Sequence, residues 1–173
     1  MTIPKPQESE YPKFYEGYVG KVPASGPVAL LEAQQPVFAR LGALNDSRGD
    51  YCYAEGKWSV KEVLGHMADA ERVFAYRLLR IARGDQTPLA GFDENAWAVT
   101  APHGHRRIKD VADEMSAVRA ASLALYRTLD DTAIAHQGTA NNAPVTARAL
   151  AWILAGHAQH HLDVLRERYG LDI

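Results

Sequence analysis

Four stretches of this chain place their apolar residues three and four positions apart, and that spacing leaves few folds open to it. A helix turns about 100° per residue, so apolar residues at this interval line one face, which must be covered. Val28, Leu31, Phe38 and Leu41, joined by Leu30, Val37 and Leu44, mark a first helix from Pro27 to about residue 44, with Pro36 predicting a kink. The second begins at Ser59, because Ser59 and Glu62 have the spacing of a capping box. Its stripe runs Val60, Val63, Leu64, Met67, Phe74, Leu78 and Ile81 up to Gly84, a residue suited to the left-handed stop. Ile108, Val111, Met115, Val118, Ser122, Leu125 and Leu129 outline a third helix. Thr146 can cap a fourth that runs to Tyr169, with Gly170 behind it. No segment alternates apolar and polar residues as a half-buried strand does. Four such faces are most economically buried against one another, so the pattern predicts an all-α fold, a four-helix bundle.

Length decides how many cores to expect. With 173 residues, 47% of them hydrophobic, there is material for one well-buried core and too little for two. The reading is a single domain over 1–173, made of an extended arm over 1–26 and a helical bundle over 27–170. Pro4, Pro6, Pro12 and Pro23 keep the arm from being helical throughout, since proline lacks the amide donor a helix needs. Its Tyr11, Tyr15 and Tyr18 suit a segment lying on the bundle, because a solvated tail has little use for aromatic rings. Residues 84–107 contain Pro88, Gly91, Pro102 and Gly104 and carry no sustained period. So long a connection between the second and third helices is usually functional or a crossover. Its Asp93, Glu94, Asn95 and Trp97 are candidates to roof a pocket, although the tryptophan equally suits a plug at the end of the bundle. Residues 138–144 read as a loop.

The histidines carry the chemistry. His157 and His161 lie about 40° apart on the fourth helix, within the arc of Leu150, Ile153, Leu154, Val164 and Leu165, so both rings face inward. A lone histidine on an apolar face is ordinarily a satisfied core residue, but two stacked on one inward face would each need a buried partner. Imidazole is a common ligand of transition metals, and donors at i and i+4 aim at one point. His160 sits about 60° to the other side of His157 and stays open as a rival to His161. His66, at the edge of the second helix's stripe beside the small Ala70, is the candidate third donor, with Glu62 and Asp69 near enough in sequence to orient the ligands. Three neutral histidines leave a divalent ion an open position, which suits catalysis better than a closed structural site. Zinc and nickel fit such a donor set, and iron and copper are also accepted by it.

Other classes are disfavoured. Ala158 follows His157, so the glutamate of a helix-borne metalloprotease motif is missing, and few carboxylates fall near the stripes, as a di-iron bundle would require. There is no glycine-rich phosphate loop. Acidic residues number 21 and basic residues 19, a net charge of -2 with no basic stripe, so nucleic acid is not an expected partner. No apolar run approaches a membrane span and the N-terminus has no signal-like apolar core, which predicts a soluble cytoplasmic protein. Cys52 is the single cysteine, so no intramolecular disulfide is possible. It is expected to be a buried or partly buried structural residue.

The segment Trp58-Ser59-Val60-Lys61-Glu62-Val63-Leu64-Gly65-His66-Met67-Ala68-Asp69-Ala70-Glu71-Arg72, the turn from Gly84 to Leu89, and Ala155-Gly156-His157-Ala158-Gln159-His160-His161 together resemble the DinB-like superfamily. The stretch from Tyr15 to Pro23 extends the likeness over nearly the whole chain. The resemblance implies a four-helix bundle in which one histidine of the second helix and a His-x-x-x-His pair of the last hold nickel, zinc or a related ion. These positions map onto His66, His157 and His161. It further implies activities that include transfer of low-molecular-weight thiols and thiol-dependent isomerisation. The expected function is a metal-dependent enzyme, foremost a thiol S-transferase acting on small electrophiles, with a possible thiol cofactor. A metal-dependent hydrolase and a non-catalytic metal- or ligand-binding stress protein are the alternatives. A homodimer is the expected assembly.

Overall fold

The computed structural model describes residues 2–173. Two single 3-10 turns, Glu8–Glu10 and Lys13–Tyr15, lead into α1 (Glu16–Val19), followed by α2 (Gly26–Gly42), α3 (Asp46–Gly49) and α4 (Val60–Ala82). Next come α5 (Glu94–Thr100), a 3-10 turn at Pro102–His105, α6 (Ile108–Tyr126), α7 (Asp131–Ala135), strands β1 (Gln137–Ala140) and β2 (Ala143–Thr146), and α8 (Ala147–Glu167).

The bundle is made of α2, α4, α6 and α8. Helix α6 packs against α2 and α4, and α8 packs against α4 and α2, so the four close into a ring around their apolar faces. The start of α4 is fixed by a reciprocal capping box. Ser59 Oγ accepts from the Glu62 amide at 3.3 Å, and the Glu62 carboxylate accepts from the Ser59 amide at 2.7 Å. Thr146 caps α8 by accepting from the Ala149 amide at 3.1 Å. Gly84 and Gly170 end these two helices at φ of 78° and 62°, the left-handed region that glycine enters without a Cβ clash.

The buried apolar residues fall into two clusters. One gathers Leu31, Leu78, Ile81, Leu123, Ile153 and Leu154; the other gathers Phe38, Leu64, Met67, Met115 and Leu162. Between them along their helices lie Gln34, Glu71 and Arg119. The fully buried Arg119 donates to both Glu71 oxygens, the shortest contact being 2.7 Å, to Gln34 Oε1 at 2.8 Å and to the Leu31 carbonyl at 3.1 Å. The network crosses the core because every charged or polar group in it has a partner.

Three expectations are corrected. Residues 137–146 are an antiparallel hairpin, not a loop, turning through Asn141 and Asn142 at φ of 51° and 60°. Its strands are four residues each, too short to show an alternating pattern, and asparagine supplies the positive φ that a two-residue turn requires. The N-terminal arm is less extended than expected, being built from two 3-10 turns and α1. It lies against the bundle, with Trp152 Nε1 donating to the Ile3 carbonyl at 3.1 Å and Glu10 accepting from Thr146 at 2.8 Å and from Arg148. Helix α2 continues through Pro36, and both Pro36 and Glu32, whose carbonyl loses its amide partner, face water. Cys52 is exposed, on the turn between α3 and α4, and slight desolvation, with Glu62 and Asp50 nearby, pushes its thiol up. Among the described residues no helix is long and apolar enough to cross a membrane.

Candidate metal centre

Helices α4 and α8 face each other, and their inward histidines meet. His66 Nε2 stands 3.2 Å from His157 Nε2, and His161 Nε2 stands 3.1 Å from the same atom. One nitrogen from each ring falls within a group no more than 4.8 Å across, and His160 is outside it. His157 is a turn below His161 on α8, which aims both rings at one point, while His66 reaches across from α4.

Three imidazole nitrogens turned toward one point make an incomplete hydrogen-bond set. A single proton can satisfy one of the two short contacts at His157 Nε2, and lone pairs then oppose each other in the rest. A cation removes that conflict. Donors about 2.0–2.1 Å from a tetrahedral ion stand about 3.3 Å from one another, close to the 3.2 and 3.1 Å spacings at His157 Nε2. Protonation agrees with this use. Burial pushes His66 down to about 4, with nearby Asp69 opposing and His103 assisting. Burial also drives His157 and His161 well below the ordinary histidine range, each further lowered by its neighbouring histidines. All three rings are therefore neutral at pH 7 and hold lone pairs for a ligand.

Aromatic rings enclose the cluster. Trp58 packs on His66 at 4.9 Å between centroids, and Phe74 and Tyr18 pack edge-on against His157 at 5.4 and 5.3 Å. His160 packs against Tyr18 at 5.5 Å and lines a surface cleft. Two glycines bring the outer walls in. A Cβ on Gly156 would lie 1.9 Å from the Tyr18 carbonyl, so only glycine lets α1 rest on α8 beside His157. A Cβ on Gly65 would lie 2.2 Å from the His103 ring, so the same device seats His103 beside His66. Each of these glycines immediately precedes a histidine of the cluster. The Gly-His step is by itself a weak signal for such close approach, since Gly104-His105 repeats it with ordinary space around Gly104.

Neither carboxylate expected to orient the ligands does so. Glu62 is engaged by Ser59 in the helix cap, and Asp69 bonds His103 at 3.0 Å and Arg72 at 3.1 Å. Burial pushes the Asp69 carboxyl up, but His103 and Arg72 outweigh it and hold it below the usual range. His103 escaped the sequence reading because it lies in an aperiodic connection. Its Nδ1 is the buried side-chain polar atom without a partner among the described residues. It shares with His66, Glu62 and Asp69 a small cavity of about 10 Å³ covered by α5.

Two larger clefts reach the histidines from different sides. One of about 350 Å³ ends at His157 and runs beneath α1, with Asp93 and Glu94 at its rim and Asn141 contributed by the hairpin. The other, of about 290 Å³, ends at His161 and His160 and is walled by Trp58, Tyr53 and Asn95. The connection over 84–107 thus covers the centre with α5 and serves both clefts. Trp97 is half exposed, packed at a tilt on Phe92 at 4.8 Å, and is not a plug for the bundle.

Comparison with known proteins agrees with the architecture. The model of the family described as the DinB superfamily matches residues 29–165. A protein of Oceanobacillus iheyensis provisionally named a metal-dependent hydrolase is 26% identical over 127 residues, which is 70% of each chain. One from Geobacillus thermodenitrificans with the same provisional name is 32% identical over 73 residues, 42% of this chain and 41% of its own. The fold is shared with YfiT from Bacillus subtilis, described as a probable metal-dependent hydrolase with an unusual four-helix bundle topology. The TM-score is 0.70 at 20% identity, covering 98% of this chain and 95% of that one. It is shared as well with a mycothiol-dependent maleylpyruvate isomerase, at a TM-score of 0.64 and 15% identity, over 84% of this chain and 62% of the isomerase.

Proposed function

The chain belongs to the DinB superfamily, and from that membership and the geometry of its histidines we propose a metal-dependent enzyme that transfers a small thiol to an electrophilic small molecule. His66, His157 and His161 would hold the ion, zinc or nickel first and iron next, through their Nε2 atoms. Bound there, such an ion lowers the pKa of a thiol or water at its open position and so supplies a nucleophile near neutral pH. The residues of this chain do the rest. The three rings are neutral, so the centre keeps the full positive charge of a cation and favours an anionic fourth partner. Trp58, Phe74 and Tyr18 exclude water around the rings and strengthen that preference.

The observation that carries transfer over other chemistries is the pair of clefts. Two separate openings of about 350 and 290 Å³ end on different histidines of one cluster, which suits a reaction that brings two molecules together. The test is a panel of electrophiles assayed with and without low-molecular-weight thiols. Turnover that requires thiol supports transfer; equal turnover without it overturns it.

Hydrolysis is the second reading, supported by the His103–Asp69 pair beside His66 and by the names of the relatives from Oceanobacillus iheyensis and Bacillus subtilis. Here His103, steadied by Asp69, would be the group available to accept a proton from water. Both readings need the ion. His157→Ala is expected to leave a folded helical protein with metal content near zero by elemental analysis, and full metal content in that variant would sink the ligand assignment.

A further inference from the structure

Among the described residues three basic side chains other than histidine are buried, namely Lys61, Arg77 and Arg119. Lys61 pairs with Asp50 and Arg119 with Glu71. Arg77 is only 3% exposed and has no carboxylate within ion-pair distance. Burying a charge without a partner is costly, and most such sites are neutralised or paired. Arg77 cannot neutralise itself, because guanidinium stays protonated across the physiological range.

Its surroundings hold it in place without matching its charge. One Nη donates to the Ala90 carbonyl at 2.6 Å, and Phe74 and Phe92 flank the guanidinium at 6.0 and 5.8 Å. Ala90 is fixed in turn by the hairpin, since Leu89 donates to the Thr139 carbonyl and Asn141 to the Leu89 carbonyl, both at 2.9 Å. The Tyr15 hydroxyl lies beside the guanidinium from the arm. Beyond the Ala90 carbonyl and the Tyr15 hydroxyl the guanidinium has no partner among the described residues, and Arg77 lines the cleft that ends at His157. Two acidic residues share that cleft. Asp93 Oδ1 accepts from the Asn95 and Ala96 amides, and Glu94 is on the exposed rim, so neither answers Arg77.

We propose that this cleft binds a small carboxylate-bearing molecule, its carboxylate on the Arg77 guanidinium with Asn141 alongside, and its apolar body between Phe74, Phe92 and Tyr18 on the way to His157. The inference rests on reading the histidine cluster as the reaction site and names the substrate class that enters from this side. A planar guanidinium matches a carboxylate with two parallel hydrogen bonds, and the flanking rings set its plane. A cleft of about 350 Å³ holds a molecule of the size of a substituted aromatic or short-chain acid.

The experiment is equilibrium binding of phenylacetate and of its neutral isostere phenylacetamide to the metal-loaded protein and to protein stripped with a chelator. The carboxylate is expected to bind at least about tenfold more tightly than the amide in both forms, since a charge-assisted pair outweighs a neutral one by that much. Arg77→Gln is expected to erase the preference. Arg77→Lys, which keeps the charge and most of the stem packing, is expected to weaken phenylacetate binding about fivefold or more by losing the fork, and it stands in if the glutamine variant does not fold. No preference in the wild type, a preference that vanishes with the metal, or unchanged binding in Arg77→Lys would each overturn the proposal. Because the stripped protein cannot turn over, this outcome is separate from the thiol-dependence assay, and either can fail alone.

Discussion

Arg119 and Arg77 are both buried, and they are wired in opposite ways. Arg119 sits between the two apolar clusters with Glu71, Gln34 and the Leu31 carbonyl arranged around its donors, so the layer is closed. Arg77 has one clear bond, to the Ala90 carbonyl, with the Tyr15 hydroxyl beside it and no carboxylate, and it lines a cleft. The histidine cluster is open in the same sense, with three nitrogens converging and no proton arrangement that satisfies all of them. A satisfied polar layer specifies how four helices register, whereas an unsatisfied one leaves interaction free energy for something outside the chain.

Removing a partner should separate the two regions most sharply. Glu71→Ala strands the Arg119 charge in the core and is expected to cost about 3–5 kcal/mol of stability in a denaturant titration. A cost within experimental error of zero would mean that the layer is not closed. The next largest effect concerns the open region and is read by pH. His66 is held neutral by burial at about 4, against an ordinary value of 6.5. The unfolded chain therefore takes up protons first as pH falls. Stability from this ring is complete above pH 6.5, declines between 6.5 and about 4, and levels off below, a loss of about 3 kcal/mol for the metal-free protein. Metal-loaded protein should resist this decline until the ion is released. A flat metal-free profile across that window would remove the argument that the rings are held ready for a ligand.

Smaller effects sharpen the boundary between bundle and arm. Gly156→Ala would normally favour a helix, yet here the added Cβ meets the Tyr18 carbonyl. The expected result is a loss of about 1–3 kcal/mol and faster proteolysis within residues 15–25, where α1 must lift from α8. Cleavage at the wild-type rate would show that α1 does not depend on the close approach. The smallest effect is Arg77→Met. With no carboxylate left behind, the variant is expected to lie within about 1 kcal/mol of wild type or to be more stable. A penalty matching that of Glu71→Ala would place Arg77 in the structural class and close the comparison.

Much of the bundle was legible because its signals are local. Ser59 and Glu62 announce the start of α4, Gly84 and Gly170 its end and that of α8, and the apolar stripes run with the helical period over many turns. The hairpin was not, since Gln137–Ala140 and Ala143–Thr146 are too short for a period to emerge. The N-terminal arm folds back only because Glu10 and Ile3 find partners on α8 and β2. Cys52 was misplaced for a related reason: a lone cysteine has no neighbour pattern that reports exposure.

For the site, the amino-acid order by itself determined that His157 and His161 share an inward face and that His66 lies on another helix, because residues on one helix are related by a fixed rotation. Only the tertiary structure decided the rest. It brought the His161 ring, and not that of His160, together with His66 and His157. It gave Glu62 to the helix cap and Asp69 to His103, and it left Arg77 without a counter-charge beside the cleft. Those outcomes depend on which atoms from distant segments come within a few ångströms, and a short-range distance between helices is not written in the period of either one.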